Sequence, residues 1–181
     1  MNTFISILRG INVSGQKIIK MADLKMLYEK LGYKNVRTYI QSGNVIFKHS
    51  ENNVAGHINK IHDEIKNQYG FDVSVIIRTP EEFQKIIAGE PFKLNSDQLK
   101  RLYVTFLSEN GKLEKLSQLE KYMAAKDKCH LSDNHLYFYC PEGYGKTKLS
   151  NNMIEKVFGI SATTRNWNSV CKLYELTQNN H

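Results

Sequence analysis

The chain has 181 residues, of which 41% are hydrophobic and 24% charged, with a formal net charge of +7 and only three prolines. This length accommodates one large domain or two compact ones, and this composition is typical of a packed globular protein, not of a disordered or fibrous one. No apolar run approaches the roughly 18 residues that a membrane-spanning helix requires.

The first 78 residues predict strands and helices in the order β-α-β-β-α-β. The first apolar segment predicts a buried strand. We do not interpret it as a signal peptide, because it has neither a basic leader nor a small-residue cleavage site. Apolar residues at three- and four-residue spacing predict the helices, and alternating or β-rich runs predict the strands. The predicted strands are residues 3–9, 36–40, 44–48 and 73–77, and the predicted helices are residues 21–31 and 54–69. This order matches the ferredoxin-like plait, in which two helices cover one face of a four-stranded antiparallel sheet.

The second half repeats these patterns less regularly. It opens at Thr79 and Pro80, where a threonine cap, a proline in the first turn and Glu82 three residues after the cap predict a helix start. Further strands are predicted over residues 102–107 and 135–139, and further helices over residues 112–125, 150–157 and 166–176. We therefore predict an α+β protein of two ferredoxin-like plaits, with an N-terminal domain at 1–79 and a C-terminal domain with extra helices at 80–181.

Three cysteines, Cys129, Cys140 and Cys171, are an odd number in a chain large enough to fold without disulfides. This favours a reducing compartment, and we predict a cytoplasmic protein. The cysteines and the neighbouring His130 and His135 lack the paired short spacings of structural zinc sites. The sequence therefore predicts neither a disulfide nor a metal site.

Two loops have part of the phosphate-binding P-loop pattern, but each lacks a required residue. In residues 10–17, Gln16 stands where the pattern requires lysine. Residues 140–147 end in Gly-Lys-Thr, but Cys140 replaces the leading glycine and Pro141 removes an amide that would hold phosphate. Since no nucleophile elbow or carboxylate pair is present either, the sequence identifies no catalytic residue and leaves open whether the chain is an enzyme.

Positive charge is concentrated in the first 50 residues. They contain eight Lys and Arg against Asp23 and Glu29, a surplus of six, so nearly the whole net charge lies there. A basic block can attract phosphates or nucleic acid. The alternative interpretation is a solvated helix face that serves solubility.

Polar side chains alternate along the second and third predicted strands. The predicted polar face comprises Arg37, Tyr39, Gln41, Asn44 and Lys48, and the predicted core face comprises Thr38, Ile40, Val45 and Phe47. A polar face of this kind suits nucleotide or nucleic-acid contacts, with tyrosine stacking on bases and basic groups on phosphates. In the alternative interpretation the second domain packs there and the polar groups satisfy one another.

A second dense polar segment lies at residues 163–168. We expect it to start the last helix, where free amides, the helix dipole and the charge of Arg165 would favour an anion. In the alternative interpretation, Thr164 or Asn166 caps the helix and Trp167 enters the core.

Three segments resemble a bacterial family known as domain of unknown function 1697. They are residues 8–13 (LRGINV), 37–47 (RTYIQSGNVIF) and 163–168 (TTRNWN). The resemblance implies two ferredoxin-like α/β subdomains, in agreement with the pattern above, and implies no activity. The family often has a second glycine followed by lysine after the first motif, whereas this chain has Gly15 followed by Gln16.

Arginine, asparagine and glutamine are poor choices for a strand end unless their hydrogen bonds are used, so we predict that the three motifs converge on one pocket. The predicted ligand-binding residues are Arg9, Asn12, Tyr39, Gln41, Asn44, Arg165 and Asn166. The predicted ligand is a phosphorylated small molecule, nucleotide or nucleic acid, with no cofactor, metal or membrane partner. Two alternatives remain: a small-molecule enzyme that uses the same residues, and a protein-interaction module that uses the open sheet.

Overall fold

The computed structural model describes residues 1–179 and divides the chain into two compact units. Unit 1 comprises Met1–Gln84 together with the chain from Leu173 onward, and unit 2 comprises Lys85–Lys172. Each unit contains one four-stranded antiparallel sheet. The prediction of an α+β protein with two ferredoxin-like plaits is confirmed.

Unit 1 has the predicted β-α-β-β-α-β order. Its elements are β1 (Asn2–Leu8), α1 (Met21–Lys30), β2 (Lys34–Tyr39), β3 (Asn44–His49), α2 (Val54–Tyr69) and β4 (Val75–Arg78). The strands are arranged β2-β3-β1-β4, and all neighbours are antiparallel. Helix α3 (Pro80–Ala88) follows, and the predicted cap forms: the Thr79 amide donates to Glu82 Oε2 at 2.7 Å and the Glu82 amide donates to Thr79 Oγ1 at 3.3 Å.

One face of the unit 1 sheet packs against α1 and α2. Phe4, Val45 and Phe47 are fully buried there with apolar side chains of both helices. Ser6 lies among them, and its hydroxyl is 2.7 Å from the Tyr28 hydroxyl, so each polar group has a partner inside the core. The helices thus cover this face, as the sequence predicted.

The opposite face of this sheet is apolar and buried at its centre, so the prediction of a polar face was wrong. Antiparallel register places Ile5 beside Ile46, and Ile7 beside Ile76, and all four side chains are at most 2% exposed. The polar residues of β2 lie at the edge of this face. The error arose because the polar alternation of β2 was extended to the whole sheet, while β1, β3 and β4 contribute isoleucines to this face.

Unit 2 has the same topology. Its sheet elements are β5 (Leu102–Leu107), β6 (Lys128–Ser132), β7 (His135–Tyr139) and β8 (Ala162–Asn166), and its helices include α4 (Ser96–Leu99), α5 (Leu116–Glu120) and α6 (Asn151–Phe158). The order β6-β7-β5-β8 corresponds to β2-β3-β1-β4 of unit 1. Helix α7 (Trp167–Gln178) begins in unit 2.

Two strands of unit 2 were not predicted. Strand β6 is a sheet-edge strand of sequence Lys-Cys-His-Leu-Ser, which has no clear apolar alternation. Strand β8 was interpreted as a helix start because threonine and asparagine favour caps, but threonine also suits a pleated strand. The helix predicted over residues 112–125 is shorter, a 3-10 turn at Leu113–Lys115 followed by α5.

Cys129 and Cys140 pack in the apolar core of unit 2 as free thiols. Burial raises the pKa of Cys140 to about 12 and raises that of Cys129 as well, so both thiols are protonated at neutral pH. Among the described residues, no cluster of His, Cys, Asp and Glu could hold a metal ion. No helix of the described chain is long and apolar enough to cross a bilayer.

Candidate ligand site at the clamped loops of unit 1

The side-chain amide of Asn12 joins two loops of unit 1. Its Oδ1 accepts from the Ile19 amide at 2.9 Å, and its Nδ2 donates to the carbonyls of Ile19 at 2.9 Å and Gln41 at 2.8 Å. The first two bonds fold the β1–α1 loop, residues 9–20, back on itself, and the third ties it to the β2–β3 turn, residues 40–43. We call these two segments the clamped loop pair.

Asparagine suits this position for two reasons. Its φ is +55°, and asparagine tolerates the left-handed region better than most residues. Its amide also has a donor and an acceptor, so it can pair with a backbone peptide as another peptide would. The three bonds therefore fix the loop without any helix or strand.

Close packing at Gly43 holds the two loops together a second time. The Leu8 amide donates to the Gly43 carbonyl at 2.8 Å. A Cβ atom on Gly43 would lie 2.7 Å from Ile11 Cδ1 and 2.9 Å from Leu8 Cβ, and φ there is +79°. Only glycine satisfies both the conformation and the space, so its place in the predicted tight turn is explained by packing as well as by turn geometry.

The backbone of the β1–α1 loop repeatedly enters the left-handed region. Five of the eight residues from 10 to 17 have positive φ: Gly10, Asn12, Ser14, Gly15 and Lys17. Turns of this kind bring successive backbone amides to one side and form concave sites for anions. The loop is therefore not a P-loop, and its run of positive φ values is the feature that it shares with such anion sites, although the Asn12 and Gln16 amides already donate to the carbonyls of Lys17 and Val13.

Basic side chains surround this backbone. Arg9 and Lys17 are partly exposed, and Lys20 is exposed at the residue before α1. The Lys17 ammonium donates to the Asp72 carbonyl, which connects the loop to the segment between α2 and β4. The loop is thus both positively charged and anchored at its far end.

His62 on α2 contacts the side chain of Asp72, the residue whose carbonyl accepts from Lys17. Its Nε2 is 2.9 Å from Asp72 Oδ1, and its Nδ1 is 3.0 Å from Asp63 Oδ1. Hydrogen bonds to Asp72 and then Asp63 raise the pKa of His62, while the bond to His62 lowers the pKa of Asp72, and Lys66 and Lys17 lower it further.

We expect the interaction of His62 with Asp72 and Asp63 to stabilise the fold over a limited pH range. The His62 contribution is fully present below its unfolded pKa, about 6.5, and is lost as pH rises through the raised folded value. The Asp72 contribution is present above about 3.9 and is lost as pH falls through the lowered folded value. Replacing His62→Gln should therefore lower the melting temperature most between about pH 4 and pH 6.5. Melting curves of both proteins across pH would show this, and a difference that grows toward alkaline pH would contradict it.

Two other predicted site residues close the turn itself. Asn44, fully buried, donates from Nδ2 to the Tyr39 carbonyl at 3.1 Å and to Ser42 Oγ at 2.9 Å. Tyr39 lies opposite Asn44 on β2 and is partly exposed, and Gln41 is exposed. The structure thus brings Asn12, Gln41, Asn44 and Tyr39 together, with Asn44 directed into the fold.

Arg165 and Asn166 lie in unit 2, at the end of a strand. The predicted start of the last helix within residues 163–168 is confirmed, because α7 begins at Trp167, but the residues up to Asn166 belong to β8, which was not predicted. Arg165 is 8% exposed, and its Nη1 donates to Thr163 Oγ1 and to the Thr164 carbonyl, both at 2.9 Å. Burial lowers the pKa of Arg165 to about 10, which leaves it charged at neutral pH.

Asn166 is exposed, and its Oδ1 accepts from the Ser169 amide at 2.8 Å. This bond caps α7, and Trp167 is buried, as the alternative interpretation of the segment expected. That these two residues share a pocket with Arg9 and Asn12 stays a prediction from the sequence, while the bonds of Arg165 within its own strand favour a structural role in unit 2.

The second partial P-loop also forms a different structure. Its Tyr144-Gly145-Lys146 segment is a 3-10 turn after Gly143, whose φ is +99°. The Tyr144 hydroxyl lies 3.3 Å from Thr164 Oγ1, which donates to Asn151 Oδ1 at 2.7 Å. Thr164 of β8 therefore contacts both this turn and the start of α6.

Sequence reasoning missed the part that Lys17 and Ile40 take in the loop pair. Lys17 entered the prediction only as the last residue of the partial P-loop at residues 10–17, and Ile40 was predicted on the core face. Ile40 is instead 47% exposed with φ of +49°. Its place directly before Gln41-Ser42-Gly43, a turn sequence, was the available signal that the strand had already ended.

Comparison with known proteins agrees with this structure. A solved structure of a conserved bacterial protein, SP0830 from Streptococcus pneumoniae, is similar to 97% of this chain over 98% of its own length, with a TM-score of 0.76 and 23% sequence identity. At that identity the likeness shows the fold alone. No curated protein matches the chain. The model of a family described as protein of unknown function, DUF1697, matches residues 1–137, so the chain belongs to that family.

Proposed function

We propose that the chain binds a phosphate-bearing ligand, a nucleotide or nucleic acid, at the clamped loop pair of unit 1. The observation that carries the proposal is the β1–α1 loop itself, where five of eight residues have positive φ and the Asn12 amide fixes the arrangement. A loop that is already ordered loses little conformational entropy when a ligand binds. The proposed location is the cytoplasm, on the ground of the odd cysteine count.

The side chains around the loop have complementary tasks in this proposal. Arg9 offers a planar fork of donors that suits a phosphate, and Lys17 and Lys20 add positive charge. Tyr39, partly exposed on β2, offers a ring on which a base can stack, and Gln41 offers an exposed amide. Asn12 and Asn44 hold the loops in place. The proposal assigns no reaction to the site.

Titration of the full chain with ATP, tripolyphosphate and a short single-stranded DNA would test the proposal. We expect binding of at least one of them, weakening steeply as salt rises, since phosphate contacts release counterions. Replacing Arg9→Gln should weaken that binding about tenfold, the value of one charge-assisted contact. Arg101→Gln is the matched control, because Arg101 is an exposed arginine of unit 2.

Lys17→Gln provides a second variant in case Arg9→Gln lowers stability. Melting temperatures of all variants, measured without ligand, would separate a loss of fold from a loss of binding. Absence of binding to all three probes would overturn the proposal. Equal affinity of the native chain and both loop variants would overturn it as well.

A further inference from the structure

Three aliphatic side chains are exposed on the clamped loop pair. Val13 is 56% exposed, Ile18 56% and Ile40 47%. Each is the chain neighbour of one of the three residues that the Asn12 amide joins, namely Asn12, Ile19 and Gln41. Each of the three is therefore one residue away in the chain from a residue held by the Asn12 side-chain amide. We call these three side chains the aliphatic patch.

Both the backbone conformation of Ile40 and the exposure of its side chain are energetically unfavourable. Among the described residues other than glycine with positive φ, Ile40 is the single β-branched one, and a β-branched residue is a genuine outlier in this region. Glycine or asparagine would adopt the same φ with less strain, and a polar side chain would be better solvated. Strain of this kind gathers at sites of interaction, where the surroundings hold it in place.

We infer that the aliphatic patch docks an acidic segment of another protein, one that carries aliphatic side chains among its carboxylates. Charge complementarity supports this occupant. Lys17 adjoins Ile18, Lys20 follows two residues later, and residues 1–50 carry a surplus of six positive charges. A second copy of this chain would present the same positive charge to the patch and be repelled.

The chemistry of the patch favours a protein over the other anionic partners. Single-stranded nucleic acid binds through aromatic side chains that stack on bases, and all three patch residues are aliphatic. A lipid surface needs no directional bonding, whereas exposed amides of Gln16 and Gln41 lie beside the patch and suit a peptide backbone. Buried aliphatic contacts within a polar rim are the usual anatomy of a protein interface.

This inference goes beyond the proposed function, because it assigns the exposed aliphatic side chains to a protein partner, although both proposals use the positive charge of Lys17 and Lys20. Replacing Ile18→Ser or Ile40→Asn should weaken binding of such a peptide more than binding of ATP, tripolyphosphate or DNA, because a phosphate group gains no apolar contact from an aliphatic side chain. Ile40→Asn should also leave the melting temperature unchanged or raise it, since asparagine accepts the left-handed conformation. A core residue would give the opposite result, a clear loss of stability.

Selection of short random peptides displayed on phage, with the full chain as bait, would test the inference. We expect the enriched peptides to combine Asp or Glu with Leu, Ile or Val. Synthetic copies, measured by fluorescence anisotropy, should bind Ile18→Ser and Ile40→Asn about tenfold more weakly than the native chain. Leu113→Ser, which changes an aliphatic residue 72% exposed in unit 2, is the matched control and should keep full affinity.

Several results would overturn the inference. They are no enrichment, enrichment of basic or aromatic peptides, and undiminished binding to both patch variants. Binding of phosphatidylglycerol vesicles or DNA that depends on Ile18 would also overturn it, because it would assign the patch to a lipid or a nucleic acid. Loss of phosphate binding in Arg9→Gln, with peptide binding intact, would leave the inference standing and separate the two sites.

Discussion

Replacing Gly43→Ala is expected to lower the free energy of unfolding by about 3 kcal/mol, whereas Gly15→Ala should cost about 1 kcal/mol. The two glycines form a matched pair, because φ is +79° at Gly43 and +72° at Gly15. Both alanines therefore have the same backbone strain. They differ in space: no atom of the described residues lies within 4 Å of a Cβ at Gly15, while at Gly43 the new atom meets Ile11 and Leu8.

The contact with Leu8 decides the magnitude at Gly43. The Ile11 side chain can rotate away from the new methyl group, but Leu8 Cβ, 2.9 Å away, is attached to β1, one of the two central strands of the sheet. Relief must then come from a shift of the turn, and overpacking of this kind costs about 1 to 3 kcal/mol beyond the strain. A shifted turn would also stretch the Asn12 bond to Gln41, so Gly43→Ala should weaken ligand binding more than Gly15→Ala.

Urea denaturation followed by circular dichroism would measure both variants. An equal loss of stability at the two positions would contradict the expectation and show that the turn adjusts freely. In that case the close packing at Gly43 would not constrain the two loops. The hydrogen bonds of Asn12 would then be the one contact of the two that fixes the proposed ligand site.

Local sequence patterns predicted most of the fold. Helix α2 was predicted with its bounds, 54–69, since its apolar residues repeat regularly and Gly70 follows in the left-handed conformation. Strands β5 and β7 were likewise predicted with their bounds, as short apolar runs. Strands β6 and β8 were missed because their stability comes from pairing with neighbours, which leaves no period in a polar sequence.

The sequence identified several residues of the candidate site, but it did not predict what their side chains bond to. Polar residues at strand ends did identify Asn12, Gln41 and Asn44, which the structure brings together. Asn12 and Asn44 donate to backbone carbonyls, and an amide such as that of Asn12, which reaches seven residues along the chain and into another loop, leaves no repeating signature in the sequence. The buried isoleucines beside them were missed for a related reason, since a face is set by the register of four strands and not by one.

Replacing Arg165→Ala is expected to lower the free energy of unfolding by about 3 kcal/mol and to leave affinity for ATP and tripolyphosphate within about twofold. The guanidinium is buried and donates to two acceptors of its own strand, so its removal breaks charge-assisted bonds and leaves a cavity. Relief of the buried charge offsets part of this loss. The net cost remains large because alanine fills little of the vacated volume.

Two companion variants separate the contributions. Arg165→Met keeps most of the volume and removes the charge, so we expect it to cost only about 1 kcal/mol. Arg165→Lys keeps the charge but cannot reproduce the bonds from a planar fork, so we expect about 2 kcal/mol. If Arg165→Met lowered the free energy of unfolding as much as Arg165→Ala, the lost hydrogen bonds to Thr163 and Thr164 would account for more of the cost than the cavity does.

Ligand affinity of the same variants tests whether the three motifs share a pocket. Measurements would be made well below each variant's melting temperature, so that lost stability does not pass for lost binding. If the motif around Arg165 served only unit 2, all three variants would bind the phosphate probes as the native chain does. A tenfold loss in Arg165→Met, the most stable of the three, would instead assign Arg165 to the ligand, since that variant keeps the packing and lacks only the charge and its donors.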